Sequence, residues 1–405
     1  MNATAPTTHV LVSGAGIAGL ALALQLVRAG IRTTVVERAE GPRPGGQAVD
    51  LRGASREVAE RMGILEKIEP YRVHEKGLAY VDARGRVFGR MSMDDFDGKG
   101  AVAEIEIARG ELSEVLRREL ATAPSGLLDL RYGDRITSLT QDADGVDVAF
   151  TGAAPARFDL VVAADGVHSS TRRLVFGPEE QFRTYLGGYA AFFTLSTPAD
   201  VEEGWFSMRF TPGATFGIRP DLDARTSKAM LTLRVDRDPS LRGDPDAQKA
   251  MIRRMLAGAG WHAETILAAM ETADDFYFDE LMRLEVPNPV RGRVALLGDA
   301  ASSGSPMSGM GTATALIGAY LLATRIAGGD GSGLPDALAR YAEEIGPFAA
   351  QGMTLMGGGV ERMVPASRVQ AAMMRASMGV MLSRPFRPIV RRMFAASQNE
   401  LPLPA

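Results

Sequence analysis

Apolar residues follow two different rhythms along this chain. Near the start, an unbroken run over residues 9–13 predicts a strand buried on both faces. The alanine- and leucine-rich stretch 17–29 predicts a buried helix closed by Gly30, and residues 32–37 predict a second strand. A strand, helix and strand of this length suit the first nucleotide-binding half of a doubly wound sheet. Residues 54–62 predict a short helix with Ser55 near its start, and residues 78–82 and 86–92 alternate around Arg84-Gly85 as a hairpin. Residues 110–122 predict a helix with Glu111 and Glu114 near its positive end. Short strands follow near 128–132, 135–140, 145–150 and 159–163, with Asp144-Gly145 as a turn.

From 185 to 235 the rhythm changes. Tyr189–Thr197, Trp205–Phe210 and Ala229–Val235 are strand-like runs separated by proline, glycine and aspartate, which predicts an antiparallel sheet covering a ligand. Residues 246–258 and 263–272 read as helices, 276–285 as a returning strand, 293–297 as a short apolar strand, and 311–327 and 336–345 as helices. The rest is helix-prone and methionine-rich, punctuated by Gly357-Gly358-Gly359, Pro365, Pro385 and Pro388. The sheet interrupts the nucleotide-binding part, so the domains should be discontinuous in sequence. The fold class expected is α/β, with an inserted antiparallel sheet and a C-terminal helical segment.

Composition narrows the chemistry. With 405 residues, 46% apolar and 23% charged, the chain has room for two or more domains with substantial cores. A net charge of −4 demands no basic face, so nucleic acid is not an expected partner. There is no cysteine, which removes disulfides, thiolate metal sites and cysteine nucleophiles and agrees with a reducing cytoplasm. His9, His74, His168 and His262 are scattered, so no metal site is expected. Ser302, Ser303 and Ser305 do not form a nucleophile elbow, and no catalytic side chain stands out. Val10 to Val27 lacks the basic leader of a targeting signal and is interrupted by Gln25; the apolar stretch Ala313 to Ala327 carries Arg325. No membrane span is expected.

Candidate chemistry sits at the ends of the apolar strands. Gly14-Ala15-Gly16-Ile17-Ala18-Gly19 follows the first strand and opens the first helix. In such a loop the first glycine permits the tight turn, the second lets backbone approach a pyrophosphate, and the third lets the helix pack on the sheet. Glycine turns of this kind are common, so the loop alone is weak. Glu37, at the end of the next strand, strengthens it: a carboxylate there accepts both ribose hydroxyls and repels a 2′-phosphate, which suits FAD or NAD. Asp165-Gly166 ends another apolar strand, with Ser169 and Arg172 on the helix that should follow. Gly298-Asp299 ends a third, where a carboxylate can accept hydrogen bonds from a polyol. The loop from Pro306 through Gly309 to Gly311 would then present backbone N–H groups able to stabilise a reduced isoalloxazine. Each motif alone is a turn; the three in this order point to a tightly held FAD. Arg109, at the start of a helix, reads on the residues alone as a solvated surface arginine.

These motifs resemble those of the group A flavoprotein monooxygenases, the para-hydroxybenzoate hydroxylase-like class, over residues 8 to about 345. The chain most resembles the branch of tetracycline-inactivating enzymes and actinobacterial natural-product hydroxylases. The resemblance implies a Rossmann-like FAD-binding domain of the GR2 type over 1–75, 98–178 and 280–345, a substrate domain over 76–97 and 179–279, and C-terminal helices over 346–405. It implies Gly14, Ala15, Gly16 and Gly19 at the pyrophosphate, Glu37 at the adenosine ribose and Arg38 at the adenine end. Gly45-Gly46-Gln47-Ala48-Val49-Asp50-Leu51 resembles the segment beside the flavin, making Asp50 a candidate contact. Arg109 becomes the arginine that reaches FAD, Asp165 the residue linked to FAD and the nicotinamide, and Asp299 the ribityl ligand, with Pro306, Gly309, Met310 and Gly311 along the ring. The chain departs from the family at Ser302, where histidine is usual, at Met310, where a polar residue is usual, and at Gly318-Ala319, which replace an acidic pair. How NAD(P)H reduces this flavin therefore stays open.

The implied activity is hydroxylation of a phenolic or enolic substrate, polycyclic natural products included, with FAD as cofactor, NADPH or NADH as transient reductant, and O2 trapped as a flavin C4a-hydroperoxide. Tyr189, Phe192, Phe206, Phe210 and Phe216 are expected to supply the pocket wall, with Arg209 or Arg219 as polar anchors. The protein is expected in the cytoplasm as a monomer or homodimer. Alternatives are a flavin reductase or dehydrogenase on the same scaffold, and a cyclase or binding module using FAD without redox chemistry. Met353, Met356, Met363, Met373, Met374, Met378 and Met381 read as helix-packing residues before they read as a substrate wall, and Arg384, Arg387, Arg391 and Arg392 as a solvated face. Gly14→Val is expected to leave a folded, colourless protein, and Asp299→Ala to weaken flavin retention.

Overall fold

A computed structural model describes residues 8–43, 45–92, 105–328, 333–355, 359–383, 385–386 and 401–404. The strand His9–Ser13 lies at the centre of a six-stranded sheet ordered Val290–Arg291, Val294–Leu296, Leu160–Ala163, His9–Ser13, Arg32–Glu37, Leu128–Tyr132. Every pairing is parallel except the one at the Val290–Arg291 edge. The helix Ile17–Arg28 is apolar nearly all round because it packs between this sheet and the helices Arg109–Leu120 and Gly311–Ala327. Its packing leaves little room for side chains. A β-carbon at Gly318 would sit 2.9 Å from Leu297 Cδ1 and 3.3 Å from Ile345 Cδ1. The Gly318-Ala319 departure thus lies in the core, where the two helices Gly311–Ala327 and Gly333–Gly352 close on the sheet.

The second large sheet has eight strands, ordered Ser302–Ser303, Tyr277–Glu285, Arg183–Ser196, Thr226–Arg234, Ala214–Pro220, Trp205–Thr211, Gly77–Val81, Val87–Ser92. All neighbours are antiparallel except Trp205–Thr211 with Gly77–Val81. Sequence pattern misses the strand Ala214–Pro220, whose alternation is broken by Gly217 and flanked by Gly213 and Pro212. It also misses the two-stranded pair Ala48–Leu51 with Ile105–Ala108.

Period-two alternation decides what each face of the large sheet meets. Tyr189, Phe193, Phe216 and Leu231 pack with Ile252 and Ile266 of the helices Pro245–Leu256 and Ala263–Thr272. Ala190, Phe192 and Leu281 point the other way, onto Met307, Val360 and Val364. The second face is called the inner face below, since Met307 belongs to the third motif's loop. The expectation that Tyr189 and Phe216 line a pocket is corrected by this register: both are core side chains on the helix-covered face, 1% and 0% exposed. Arg209 is cross-strand partner of Phe216 and shares its side; its Nε donates to the Ala259 carbonyl at 2.7 Å. Of the expected wall residues, Phe192, Phe206 and Phe210 lie on the inner face, the last two together with Met208.

The helix Arg368–Met381 lies over the strands Val87–Ser92 and Trp205–Thr211 but has no fully buried residue. Met363 and Met378 pack into apolar clusters, whereas Met373 and Met381 are exposed. Met356 and Arg384, Arg387, Arg391 and Arg392 lie outside the described residues. Among the described residues, no helix is long and apolar enough to cross a membrane.

Candidate cofactor and substrate site

The first motif turns sharply out of the His9–Ser13 strand. Gly14 has φ +109°, and its N–H donates to the Val36 carbonyl at 2.7 Å. A β-carbon at Gly14 would collide with the Ala164 carbonyl, and one at Gly19 with the carbonyl of Gly14. Gly16 differs: the nearest atom to its missing side chain is Arg109 Nη2, 4.0 Å away. Gly14 and Gly19 are therefore packed against protein, and Gly16 alone of the three opens onto free space. The expected colourless but folded Gly14→Val is corrected accordingly, because the clash is with the neighbouring strand's backbone. Glu37 accepts from the Ala15 and Ala39 N–H groups, both at 2.9 Å, which holds its carboxylate beside the loop. Arg38, next to it, is exposed.

The second motif packs directly on the first. Asp165 accepts from the hydroxyls of Ser169, Ser170 and Thr171 and from the Thr171 N–H, so its carboxylate shapes the turn into the helix Ser170–Val175. Arg172 is completely buried: Nη1 donates to the Ala300 carbonyl at 3.1 Å and Nη2 to the Val167 carbonyl at 2.8 Å. A buried guanidinium thus ties the second motif to the third. His168, between them in sequence, bridges Glu179 at 2.9 Å and Asp279 at 3.0 Å. Burial alone would lower its pKa, but hydrogen bonds to Asp279 and Glu179 outweigh that and raise it to about 9.

The third motif completes the ring of turns. Gly298 has φ +61°, and a side chain there would meet Ala18 of the first helix at 3.0 Å. Burial raises the pKa of Asp299, against the opposing pull of Arg109 and a hydrogen bond from Ser303. Gly311 faces Asp299 Oδ1, 3.6 Å from where its β-carbon would be. Pro306, Gly309 and Gly311 are exposed and Met310 is half-buried, so the loop lies open beside the carboxylate. The helices Ile17–Arg28 and Gly311–Ala327 both start here without a side-chain cap or an acidic first turn, which leaves two positive helix ends for an anion. Arg109 stands between the motifs, its N–H bonded to the Gln47 carbonyl at 3.0 Å and its Cβ 3.5 Å from the position of a Gly46 side chain. It is exposed.

Opposite the motifs, the charged residues of the inner sheet face are paired with each other. Lys228, buried, donates to Thr194 Oγ1 at 2.5 Å and lies 3.3 Å from Asp221 and 3.4 Å from Asp275. Arg219 holds Glu75 at 2.7 Å and Glu106 at 2.8 Å, which corrects its expected role as a free substrate anchor. Asp50 pairs with Arg52 and is the cross-strand partner of Glu106. Burial pushes the Glu106 carboxyl well above the ordinary range; Arg219 opposes this, and the charges of Glu75 and Asp50 add to it. Sequence reading missed Lys228, Glu106 and Tyr277. A lysine or glutamate inside an otherwise apolar strand was the available signal, but its partners come from distant segments.

The cradle fits FAD on this chain's own features: an open glycine between two tight ones, a ribose-type carboxylate held by backbone, two uncapped helix ends and a buried aspartate beside an exposed loop. Comparisons agree. Residues 7–355 match the FAD binding domain family. An uncharacterised protein of Mycobacterium tuberculosis is 40% identical over 357 residues, covering 87% of this chain and 93% of its own length. A flavin-dependent monooxygenase from an unidentified prokaryote is 34% identical over 345 residues, covering 84% and 86%. The crystal structure of the tetracycline destructase Tet(55) superposes with a TM-score of 0.79 at 30% identity, covering 98% of this chain and 99% of that one.

Proposed function

This chain belongs to the FAD-binding family of flavin-dependent monooxygenases, and from that premise we propose that it hydroxylates a phenolic or enolic small molecule, a polycyclic natural product among the candidates. The balance is one substrate C–H, one O2 and one NAD(P)H plus a proton giving C–OH, water and NAD(P)+. Bound FAD supplies the redox chemistry, accepting a hydride from NADPH or NADH and activating dioxygen. The observation that carries the reading is the convergence of three distant turns: Gly14 packs on Ala164, Gly298 packs on Ala18, and Arg172 bonds Ala300.

In this reading the backbone of Gly14, Ala15, Gly16 and Gly19 takes the pyrophosphate, Glu37 the ribose and Arg38 the adenine end. Arg109 and Asp299 take the central part of FAD, Asp165 acts through its turn, and Pro306, Gly309, Met310 and Gly311 lie along the ring with Asp50 on the facing segment. Two uncapped helix ends would stabilise negative charge on the reduced ring. The substrate would occupy the space between the inner sheet face and the loop, with Phe206 and Phe192 on the wall. Arg219 and Lys228 already hold carboxylates, so neither is a free cation for the substrate, which favours one recognised by shape and neutral hydroxyls. We further take 1–75, 98–178 and 280–345 as the FAD-binding part and 76–97 and 179–279 as the substrate part of a cytoplasmic monomer or homodimer.

The test is to purify the protein, measure bound flavin, and follow NADH and NADPH oxidation with a panel of phenols and polycyclic enols under 18O2. Substrate-stimulated oxidation with one labelled oxygen in the product supports the proposal. A reduced, unlabelled product would make it a reductase instead.

A further inference from the structure

The contacts running from the second motif to the inner face of the large sheet end on an aromatic ring. His168 Nδ1 lies 2.9 Å from Glu179 Oε2, and its Nε2 lies 3.0 Å from Asp279 Oδ2. Both partners are carboxylates, so both ring nitrogens must donate and the imidazole is a cation. Asp279 Oδ2 in turn accepts from the Tyr277 hydroxyl at 3.2 Å. One face of the Tyr277 ring stacks on Phe192, with centroids 5.7 Å apart and planes 17° from parallel. Phe192 is itself buried in the cluster that contains Met307 of the third motif's loop.

Anchored at its hydroxyl and on one face, Tyr277 is still 40% exposed as a residue. A large ring fixed in this way has spent its conformational entropy already and presents a rigid flat surface to whatever covers it. Its position says what that is. Phe192, on which the ring stacks, packs with Met307 of the loop that runs on from Asp299, so the ring lies on the sheet face turned to that loop. We propose that Tyr277 is a wall of the cofactor site, its free face packing against bound FAD, and that His168 is a positioning residue that orients this ring through Asp279. The proposal rests on the FAD reading above.

The experiment loads the full chain with FAD and reads the emission of the bound flavin, normalised to flavin absorbance. A tyrosine packed against the flavin quenches its emission by electron transfer; phenylalanine does not. Tyr277→Phe is expected to brighten bound flavin several-fold, Tyr277→Trp to darken it again, and His168→Gln to give intermediate emission, because the ring is no longer held. Unchanged emission in Tyr277→Phe at equal occupancy overturns the proposal. Wild-type protein that takes up no FAD overturns the cofactor reading itself, a distinguishable result. Thermal melts of the flavin-free variants identify any that fail to fold; for those, Tyr277→Trp alone decides the matter, emission equal to or below wild type supporting the contact and brighter emission overturning it.

Discussion

The motif ends of the six-stranded sheet and the inner face of the eight-stranded sheet confront each other across the site, yet they are built differently. The first is made of backbone. Its working parts are glycines at φ +109° and +61°, N–H groups at two helix starts, and carbonyls tied by Arg172. The second is made of side chains: Arg219 with Glu75 and Glu106, Lys228 with Asp221 and Asp275, Tyr277 with Asp279 and His168. Backbone sites tolerate no added atoms where protein is close, and side-chain sites tolerate no missing partner where charge is buried.

The contrast breaks hardest at glycine. Gly19→Val would force a side chain into the Gly14 carbonyl, so the fold should lose about 4 kcal/mol or more, read as a collapse of the thermal melt. Gly16→Val, facing open space, should change stability by less than about 1 kcal/mol while abolishing FAD uptake; if both variants melt alike, the distinction between packed and open glycines fails. On the other wall, Arg219→Met should cost roughly 3–5 kcal/mol in denaturant titrations, because it strands the buried Glu75 carboxylate.

His168 gives a pH-dependent version of the same test. Its folded-state pKa is raised from 6.5 to about 9, so its contribution is complete below 6.5 and is lost as pH rises through 9. Asp279 and Glu179 face it directly, and Arg172, Arg183 and Arg242 surround Glu179. Wild type should lose roughly 2 kcal/mol of stability across that window, and His168→Gln should be flat by comparison. The smallest effect expected is Asp299→Ala, which should weaken FAD retention about tenfold, near 1.4 kcal/mol, without moving the flavin-free melt much. Undiminished retention on dialysis would remove Asp299 from the cradle.

Legibility followed the same division. Helices at 311–327 and 263–272 and the strand at 128–132 were readable to the residue, because an apolar period and a flanking glycine or polar residue suffice for an element. The Gly14–Gly19 spacing was readable too, down to which glycine turns and which packs. Tyr189 and Phe216 show the limit. The strand of Tyr189 was expected and that of Phe216 was not, and for neither did the pattern say which face pointed to the ligand, since a one-residue change of register reverses it. The departures at Ser302 and Gly318-Ala319 looked like losses of chemistry in the sequence. In the structure Ser302 pairs as strand with Glu285, and Gly318 is the gap into which Leu297 and Ile345 fit.

The sequence by itself determined most of the elements, the three turns and the cofactor they suit, because a turn's conformation depends on residues adjacent in the chain. Only the tertiary structure decided that Arg219 is already engaged and that Tyr277, held by Asp279 and stacked on Phe192, stays partly exposed. Those facts depend on contacts between residues tens to hundreds of positions apart, and local pattern carries no record of sheet register or of which charge will meet which across a packed interface.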